Sequence, residues 1–228
     1  MKRMNSLDNV DEMPQEFYET MDGLLVGDGN LYINNGGTNK GKNAVYQHGS
    51  SYKEFVDHIK YELQKFCVTF GPDRVQKQTK RNSIGYHIRS HVSPVFTHWK
   101  NRWYEQGKKE VPTDIILSPK VCLYWYLGDG GLHWSGNTLC GLFFSTHAFN
   151  SQSILILRTE LANFGFISTH RASNNTIALN RGNCLSFLEY VGRSSPVQCY
   201  NYKFCTENRE MYSLLKSRNE VDNQQLRP

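Results

Sequence analysis

The feature that most constrains this chain is a helix ending that occurs twice. An apolar helical stretch runs into Gly-Asp-Gly at residues 27–29, and another does so at residues 128–130. The two aspartates, Asp28 and Asp129, are 129 − 28 = 101 residues apart. A carboxylate at a helix C-terminus opposes the helix dipole and is mildly destabilising, so its repetition indicates a functional reason.

The order of elements around the two motifs also repeats. Apolar residues at helical spacing and alternating strand-like segments predict helix, strand, strand, helix, strand, strand, helix in each half. In the first half we predict helices at 14–26 and 51–70 and from 93, with strands at 30–34, 44–48, 74–79 and 84–90. In the second half we predict helices from 118 to the motif, at 151–164 and at 184–191, with strands at 131–134, 139–146, 167–171 and 176–179.

The repeat predicts an α+β protein with two pseudo-symmetric αββαββα halves. We place the N-terminal half at residues 14–112 and the C-terminal half at residues 113–206. Residues 1–13 and 207–228 are polar tails, with one short helix near residues 211–215.

The Gly-Asp-Gly motifs suit a hard cation. Carboxylate and carbonyl oxygens are the ligands that Mg²⁺ prefers, and glycine lets the backbone approach closely. We therefore predict a site for Mg²⁺, or another divalent cation such as Mn²⁺, formed by Asp28 and Asp129 with Gly27 and Gly128. A single motif of this kind is much better explained as a helix stop before a hairpin. Its duplication is what favours a site.

Composition permits this interpretation without requiring it. A net charge of +5 allows a polyanionic partner, and 39% hydrophobic residues suit a packed core. There is no G-x-G-x-x-G, P-loop, nucleophile elbow or zinc spacing. No apolar run reaches membrane-spanning length and no secretory signal begins the chain. We expect an intracellular protein, in a bacterial cytoplasm or an organelle, with no membrane partner.

The stretch LYWYLGDGGL at residues 123–132 resembles the second motif of the LAGLIDADG homing endonucleases in their monomeric, two-motif form. The resemblance covers residues 14–205. The first motif copy departs from the family pattern at Met21-Asp22, and the second departs at residues 124–126. These departures lie in the helix bodies, so they put packing detail in doubt more than catalysis.

The resemblance implies that the two motif helices pack side by side at a pseudo-twofold axis. Gly23 and Gly27 on one helix would then face Tyr124 and Gly128 on the other. The two aspartates would form one composite site for metal-assisted phosphodiester hydrolysis.

Family members also place a basic residue near each metal site. Lys109 and Lys203 fit this role, although an ordinary solvated lysine explains Lys109 equally well. The family often has a polar side chain at the end of the second strand, where His48 and His147 occupy matching places 20 and 18 residues after the aspartates. Plain strand-end histidines are the alternative.

Two antiparallel sheets would form a saddle over double-stranded DNA, where strand side chains read base edges in the major groove. The candidate DNA-binding residues are Asn30, Tyr32, Asn34, Lys40, Lys42, Gln76, Gln78, Lys80, Arg81, His87 and Arg89 in the first half, and His133, Ser135, Asn137, Arg171, Asn174, Asn175 and Arg181 in the second. A solvated strand face explains any one of them alone.

Together with these observations, the resemblance implies a monomeric, metal-dependent endodeoxyribonuclease that cuts both strands of a long specific site and is encoded within an intron. Two alternatives keep the same scaffold. One is a maturase that binds intron RNA, and the other is a DNA-binding protein that does not cleave.

Overall fold

The computed structural model describes residues 13–33, 41, 43–78 and 83–225. The first half contains three helices and four long strands: α1 Gln15–Val26, β1 Asn30–Ile33, β2 Ala44–Ser50, α2 Lys53–Gln64, β3 Arg74–Gln78, β4 Ser83–Arg89 and α3 Pro94–Trp103. A small hairpin, β5 Tyr104–Glu105 and β6 Lys108–Lys109, follows α3. The second half repeats the long elements: α4 Pro119–Asp129, β7 Gly130–Ser135, β8 Thr138–Ser145, α5 Ser151–Asn163, β9 Ser168–Arg171, β10 Thr176–Asn180 and α6 Arg181–Tyr190.

The two halves have the same sheet topology. The strand order is β1-β2-β4-β3 in one sheet and β7-β8-β10-β9 in the other, and every pair is antiparallel. Helices α2 and α3 pack on the first sheet, and α5 and α6 pack on the second. The predicted α+β class and the internal repeat are therefore confirmed.

Local sequence sets several helix starts. Ser93, Ser118, Asn150 and Asn180 each precede a helix, and their side chains accept a hydrogen bond from a backbone N–H of its first turn. Such caps satisfy donors that the helix itself leaves unpaired. In α3 and α4 the cap is followed by proline at the first helical position, where its missing N–H costs nothing.

Two local predictions were wrong, and one element was not predicted. Helix α2 ends at Gln64 rather than near residue 70, and Cys67, just beyond it, has a φ of +63° that a right-handed helix excludes. The hairpin β5–β6 was missed because two-residue strands carry no periodicity. The tail contains a 17-residue helix, α7 Arg209–Gln225, rather than one short turn, and it packs against the 3-10 helix Gln198–Phe204.

Helices α1 and α4 pack in close backbone contact. A Cβ added at Gly23 would lie 2.9 Å from the Cα of Val121 and 3.0 Å from the Cβ of Tyr124. One added at Gly128 would lie 3.4 Å from the Cα of Gly27. The glycines thus allow the helix approach that their spacing predicted, and the ends of both helices meet.

The departure from the family pattern at Asp22 has a structural reason. Asp22 is buried in α1 and accepts hydrogen bonds from the indole nitrogens of Trp99 and Trp103, at 3.2 and 3.0 Å. The guanidinium of Arg102 makes two further bonds to it, at 2.5 and 3.0 Å. A buried carboxylate is tolerated when its oxygens are paired in this way. Asp22 therefore ties α3 to the motif helix.

One hydrophobic cluster includes residues of both halves. Polar contacts also join them, because the carboxylate of Glu54 in α2 accepts the backbone N–H groups of Gln198 and Cys199. No helix in the described part of the chain is both long and apolar enough to cross a membrane.

Candidate active site

The two motif aspartates line one pocket where α1 and α4 end. The pocket has a volume of about 480 Å³, and its lining includes Asp28, Asp129, Lys109, Asn30 and His147. Each aspartate is carried there by the end of its helix, and the helix ends are held together by the glycine contacts. The structure therefore brings the two predicted acids into a single site.

The site is unfavourable for two ionised carboxylates. Burial and, to a smaller extent, the charge of Asp28 raise the pKa of Asp129 to about 7, while Lys109 and Lys203 act in the opposite direction. Burial also raises the pKa of Asp28, against the lowering effect of the same two lysines. Like charges in a desolvated site repel each other, so the pair is suited to a positively charged occupant.

Lys109 and Lys203 each bind the helix end of their own half. The Nζ of Lys109 donates to the carbonyl oxygens of Gly27 and Gly29, at 2.9 and 2.8 Å. The Nζ of Lys203 donates to those of Tyr126, Leu127 and Gly130, at 3.1, 2.7 and 2.7 Å. A cation at a helix C-terminus offsets the negative end of the dipole. Both lysines therefore hold the backbone on either side of an aspartate.

The two lysines differ in how many of their ammonium donors remain available. An ammonium group has three donors, and all three of Lys203 are used by carbonyl oxygens in a buried position. Lys109 uses two of its donors in this way and lines the pocket. Burial lowers the pKa of each to about 8, against the raising effect of the aspartates. Lys109 is the lysine with a donor available for a ligand.

The glycines proposed as metal ligands have other contacts. The carbonyl oxygen of Gly27 already accepts from Lys109, and Gly128 lies against Gly27 at the helix contact. Their part in metal binding stays a prediction.

His48 does not face the pocket. It is buried in β2 among aromatic side chains, its Nδ1 is 3.0 Å from the hydroxyl of Tyr46, and its ring packs edge-on against Phe55. Burial lowers the pKa of His48 to about 3. The neutral ring is thus a part of the core.

Strand register shows why His48 and His147 were wrongly matched. Leu31 pairs with Tyr46 in the first half, and its equivalent, Leu132, pairs with Leu142 in the second. Tyr46 and Leu142 are therefore equivalent, and so are the residues two positions later, His48 and Phe144. Phe144 lies 144 − 129 = 15 residues after its aspartate, whereas His48 lies 20 residues after its own. The first hairpin is longer, so equal counting from the motif gives the wrong partner. His147 is exposed, follows β8 and lines the pocket.

One face of the first sheet carries long polar side chains. Register places Asn30, Gln47 and Arg89 in one row across the strands, and places His87 beside Arg74 on the same face. The guanidinium of Arg89 lies over the ring of Tyr32, 5.2 Å from its centre. Of the predicted DNA-binding residues, this face brings together Asn30, Tyr32, Gln76, His87 and Arg89, and Gln78 lies in the same strand as Gln76. Asn34, Lys40, Lys42, Lys80 and Arg81 lie outside the described residues.

The second sheet brings fewer of its predicted residues to one face. Register puts His133 and Arg171 on the face opposite the core, and Ser135 and Asn137 lie exposed at the β7–β8 turn. Asn174 and Asn175 lie in the β9–β10 connection, and Arg181 is the first residue of α6. The amide of Asn175 bonds to Thr146 and His170, so it stabilises the turn.

Three residues were missed from sequence: Gln47 and Arg74 on the first sheet, and Tyr104 in the pocket. Gln47 shares a row with Asn30, and strand alternation beside the buried Tyr46 would have found it. Tyr104 lines the pocket, and its hydroxyl accepts the N–H of Leu31 and donates to the Oδ1 of Asn30, at 3.1 and 2.8 Å. No sequence signal indicates Tyr104, because it is placed by the short hairpin β5–β6.

Two αββαββα halves with an aspartate pair at the joined helix ends define a class of two-motif proteins. The chain belongs to the LAGLIDADG DNA endonuclease family, whose sequence profile matches residues 18–182. It is 29% identical over 159 residues to an uncharacterized protein, MJ1098, of Methanocaldococcus jannaschii, covering 68% of this chain and 58% of that protein. It is 26% identical over 137 residues to the cytochrome b mRNA maturase bI2 of Debaryomyces hansenii, covering 58% and 52%. The chain thus spans about half the length of these curated relatives.

Solved structures share the fold. The homing endonuclease I-WcaI, bound to its DNA recognition sequence, superposes with a TM-score of 0.65 at 20% identity, covering 78% of this chain and 81% of that one. Full-length DUF199/WhiA from Thermatoga maritima superposes with a TM-score of 0.55 at 13% identity, covering 95% and 64%. At such identities the likeness concerns the fold alone.

Proposed function

We propose that this protein is a site-specific endonuclease that cuts both strands of a DNA duplex with a divalent cation at Asp28 and Asp129. The observation that carries the proposal is the single pocket holding both desolvated aspartates beside Lys109. A fold alone does not fix function, but such a pair of acids is the equipment of metal-assisted phosphodiester hydrolysis.

The residues present fit a hard divalent cation. Two carboxylates that repel each other supply oxygen ligands, and within the described ranges no group of three or more His, Cys, Asp or Glu side chains offers an alternative metal site. Hard cations such as Mg²⁺ complete their shell with water and phosphate oxygens, so two carboxylates are a sufficient protein contribution. When bound, the cation would polarise the phosphate and lower the pKa of an attacking water.

The protein groups around the aspartates would orient the substrate. Lys109 has a donor free to bind a phosphate oxygen on which negative charge develops. Tyr104 holds the Oδ1 of Asn30, which leaves the amide N–H groups of Asn30 to donate into the pocket. Lys203 fixes the backbone around Asp129 without a donor to spare.

The polar face of the first sheet supports duplex DNA as the substrate. Arg74, Gln76, His87, Arg89 and Gln47 line one pocket of about 480 Å³ on that face. Arginine and glutamine side chains bond base edges in the major groove, and a solvated sheet does not need them side by side. I-WcaI, which shares the fold, is a homing endonuclease bound to its recognition sequence. Monomeric action and an intron origin belong to the same proposal.

The test is cleavage of a random duplex library by the purified chain with and without Mg²⁺. We expect one long sequence to be cut on both strands, only with the cation present. Asp28→Asn and Asp129→Asn should abolish double-strand cleavage of the selected site, while Asp114→Asn, which removes an exposed acid that does not line the pocket, should not. Cleavage by Asp28→Asn at the wild-type rate would disprove the assignment.

The maturase relative supports a second candidate function. The chain is similar to a cytochrome b mRNA maturase, and basic sheet residues serve RNA as well as DNA. Protection of a structured intron RNA by the chain, with no duplex cut in the library, would favour this alternative. Specific duplex binding without cleavage would instead favour a DNA-binding protein.

A further inference from the structure

The tail helix α7 forms a cleft with the edge strand of the second sheet. The cleft has a volume of about 480 Å³, and its lining includes His133 and Trp134 of β7 and Arg209, Ser213 and Lys216 of α7. Register places His133 on the face of the sheet opposite its core, whereas Leu132, which also lines the cleft, lies on the core face. The cleft therefore lies at the edge of the surface proposed to face DNA.

The helix is fixed in this position by specific contacts. The ring of Tyr212 packs 5.6 Å from that of Tyr202 and 6.0 Å from that of Trp134. Arg209 donates to the carbonyl oxygen of Gly136 at 2.7 Å, and Asn219 donates to that of Cys199 at 3.0 Å. Helix α7 is therefore packed as an integral part of the second half.

The face of α7 toward the cleft is rich in donors. Arg209, Ser213 and Lys216 follow at i, i+4 and i+7, which puts them on one side of a helix. Lys216 is exposed, and among the residues that the structure describes it has no ion pair. The acidic residues Glu207 and Glu210 do not line the cleft. A positive, hydroxyl-bearing groove beside a sheet face fits a phosphate backbone.

We propose that α7 binds the sugar–phosphate backbone of the DNA duplex, with Lys216 as its principal phosphate contact, and so extends the interface of the second half. This rests on the proposed function. It also compensates for the second sheet, where the row equivalent to Asn30, Gln47 and Arg89 is Gly131, Phe143 and Ala178. A sheet with fewer polar side chains gains a helix that contacts phosphates.

The test is binding of the full chain to a duplex of arbitrary sequence in EDTA, where no cleavage occurs, over a series of salt concentrations. Each phosphate contact contributes about 0.9 to the slope of log affinity against log salt. We expect Lys216→Gln to lower the slope by about that amount and to weaken binding several-fold at low salt, and Ser213→Ala to weaken binding with the slope unchanged.

The matched control is Arg218→Gln. It removes the same charge from the same helix two residues on, about 200° around the axis, and it does not line the cleft. We expect its slope to equal that of the wild type. Equal slopes for the wild type and Lys216→Gln would overturn the proposal while leaving the endonuclease intact. If Lys216→Gln lowered the slope for a structured RNA but not for duplex DNA, the proposal would also be overturned. If the wild type did not bind duplex DNA at all, the proposed function itself would be overturned.

Discussion

Gly23 lies so close to the backbone of Val121 that a single methyl group at Gly23 would sit 2.9 Å from both the Cα and the carbonyl oxygen of Val121. Backbone atoms cannot move aside as a side-chain tip can. At Gly27, four residues on, the same methyl group would lie 3.6 Å from the nearest atom, the carbonyl oxygen of Tyr124, which is ordinary contact. The approach of the motif helices therefore depends on Gly23 more than on Gly27.

Gly23→Ala should push the helices apart. We expect it to destabilise the protein by about 1 to 3 kcal/mol, the usual cost of overpacking a core, and to reduce cleavage because the aspartates separate. The measurement is urea unfolding together with cleavage of the selected duplex. Gly27→Ala is the control and should unfold within about 1 kcal/mol of the wild type. Equal stability losses in the two variants would contradict the packing.

Asp129→Asn should stabilise the metal-free protein at high pH. The pKa of Asp129 is about 7 in the folded chain and about 3.9 when unfolded. A raised pKa means that its contribution to stability is present below pH 4 and is lost as pH rises through 7. Allowing for partial exposure, we expect Asp129→Asn to gain on the order of 2 kcal/mol at pH 8, and progressively less toward pH 5.

Thermal unfolding at several pH values checks this expectation. Adding Mg²⁺ should raise the Tm of the wild type, because a ligand that binds only the folded state stabilises it, and should raise the Tm of Asp129→Asn less. The opposite order of Tm values at pH 8 without metal would show that burial and the charge of Asp28 do not raise the pKa of Asp129 in the folded protein.

Replacing Tyr46 and His48 together by phenylalanine should leave cleavage within about 2-fold of the wild type, because neither side chain lines the pocket and replacing both partners of a buried hydrogen bond by apolar groups of similar shape is nearly neutral. Phe144 already occupies the equivalent position in the second half. Removing both partners of a buried hydrogen bond leaves neither unsatisfied. If the variant lost cleavage but kept wild-type stability, His48 would have a role in the active site after all.

The same variant should be less sensitive to acid. The folded pKa of His48 is about 3, below its unfolded value of about 6.5, so its stabilising contribution is present above pH 6.5 and is lost as pH falls toward 3. We expect the Tm of the wild type to fall more steeply between pH 6.5 and pH 4.5 than that of the variant.

Lys109→Met and Lys203→Met should separate chemistry from structure. Lys203→Met removes the ammonium donor that three buried carbonyl oxygens share, and we expect a loss of about 2 to 4 kcal/mol in the free energy of unfolding. Lys109→Met should lower cleavage by about 100-fold, as loss of a transition-state donor does, with a smaller loss of stability. Urea unfolding measures the loss of stability in each variant, and single-turnover cleavage measures the loss of rate. A larger loss of stability in Lys109→Met than in Lys203→Met would refute these roles.

The sequence by itself determined the duplicated helix ends and the αββαββα order, and it singled out Asp28 and Asp129 as candidate acids, because these follow from local periodicity and from a motif that repeats. It also indicated which strand residues lie on the buried face of each sheet and which lie on the opposite face. It could not assign His48 and His147, because counting from the motif ignores the longer first hairpin, and only strand pairing fixes equivalence.

Tertiary structure decided everything that depends on which groups meet. It places Lys203 on three carbonyl oxygens, Asp22 on two tryptophans and an arginine, and Tyr104 on Asn30, and these are contacts between segments far apart in the chain. It also turns a polar tail into α7, whose Tyr212 packs on the core while Lys216 faces the cleft. Burial and long-range pairing set these outcomes, and neither is encoded in a short window of residues.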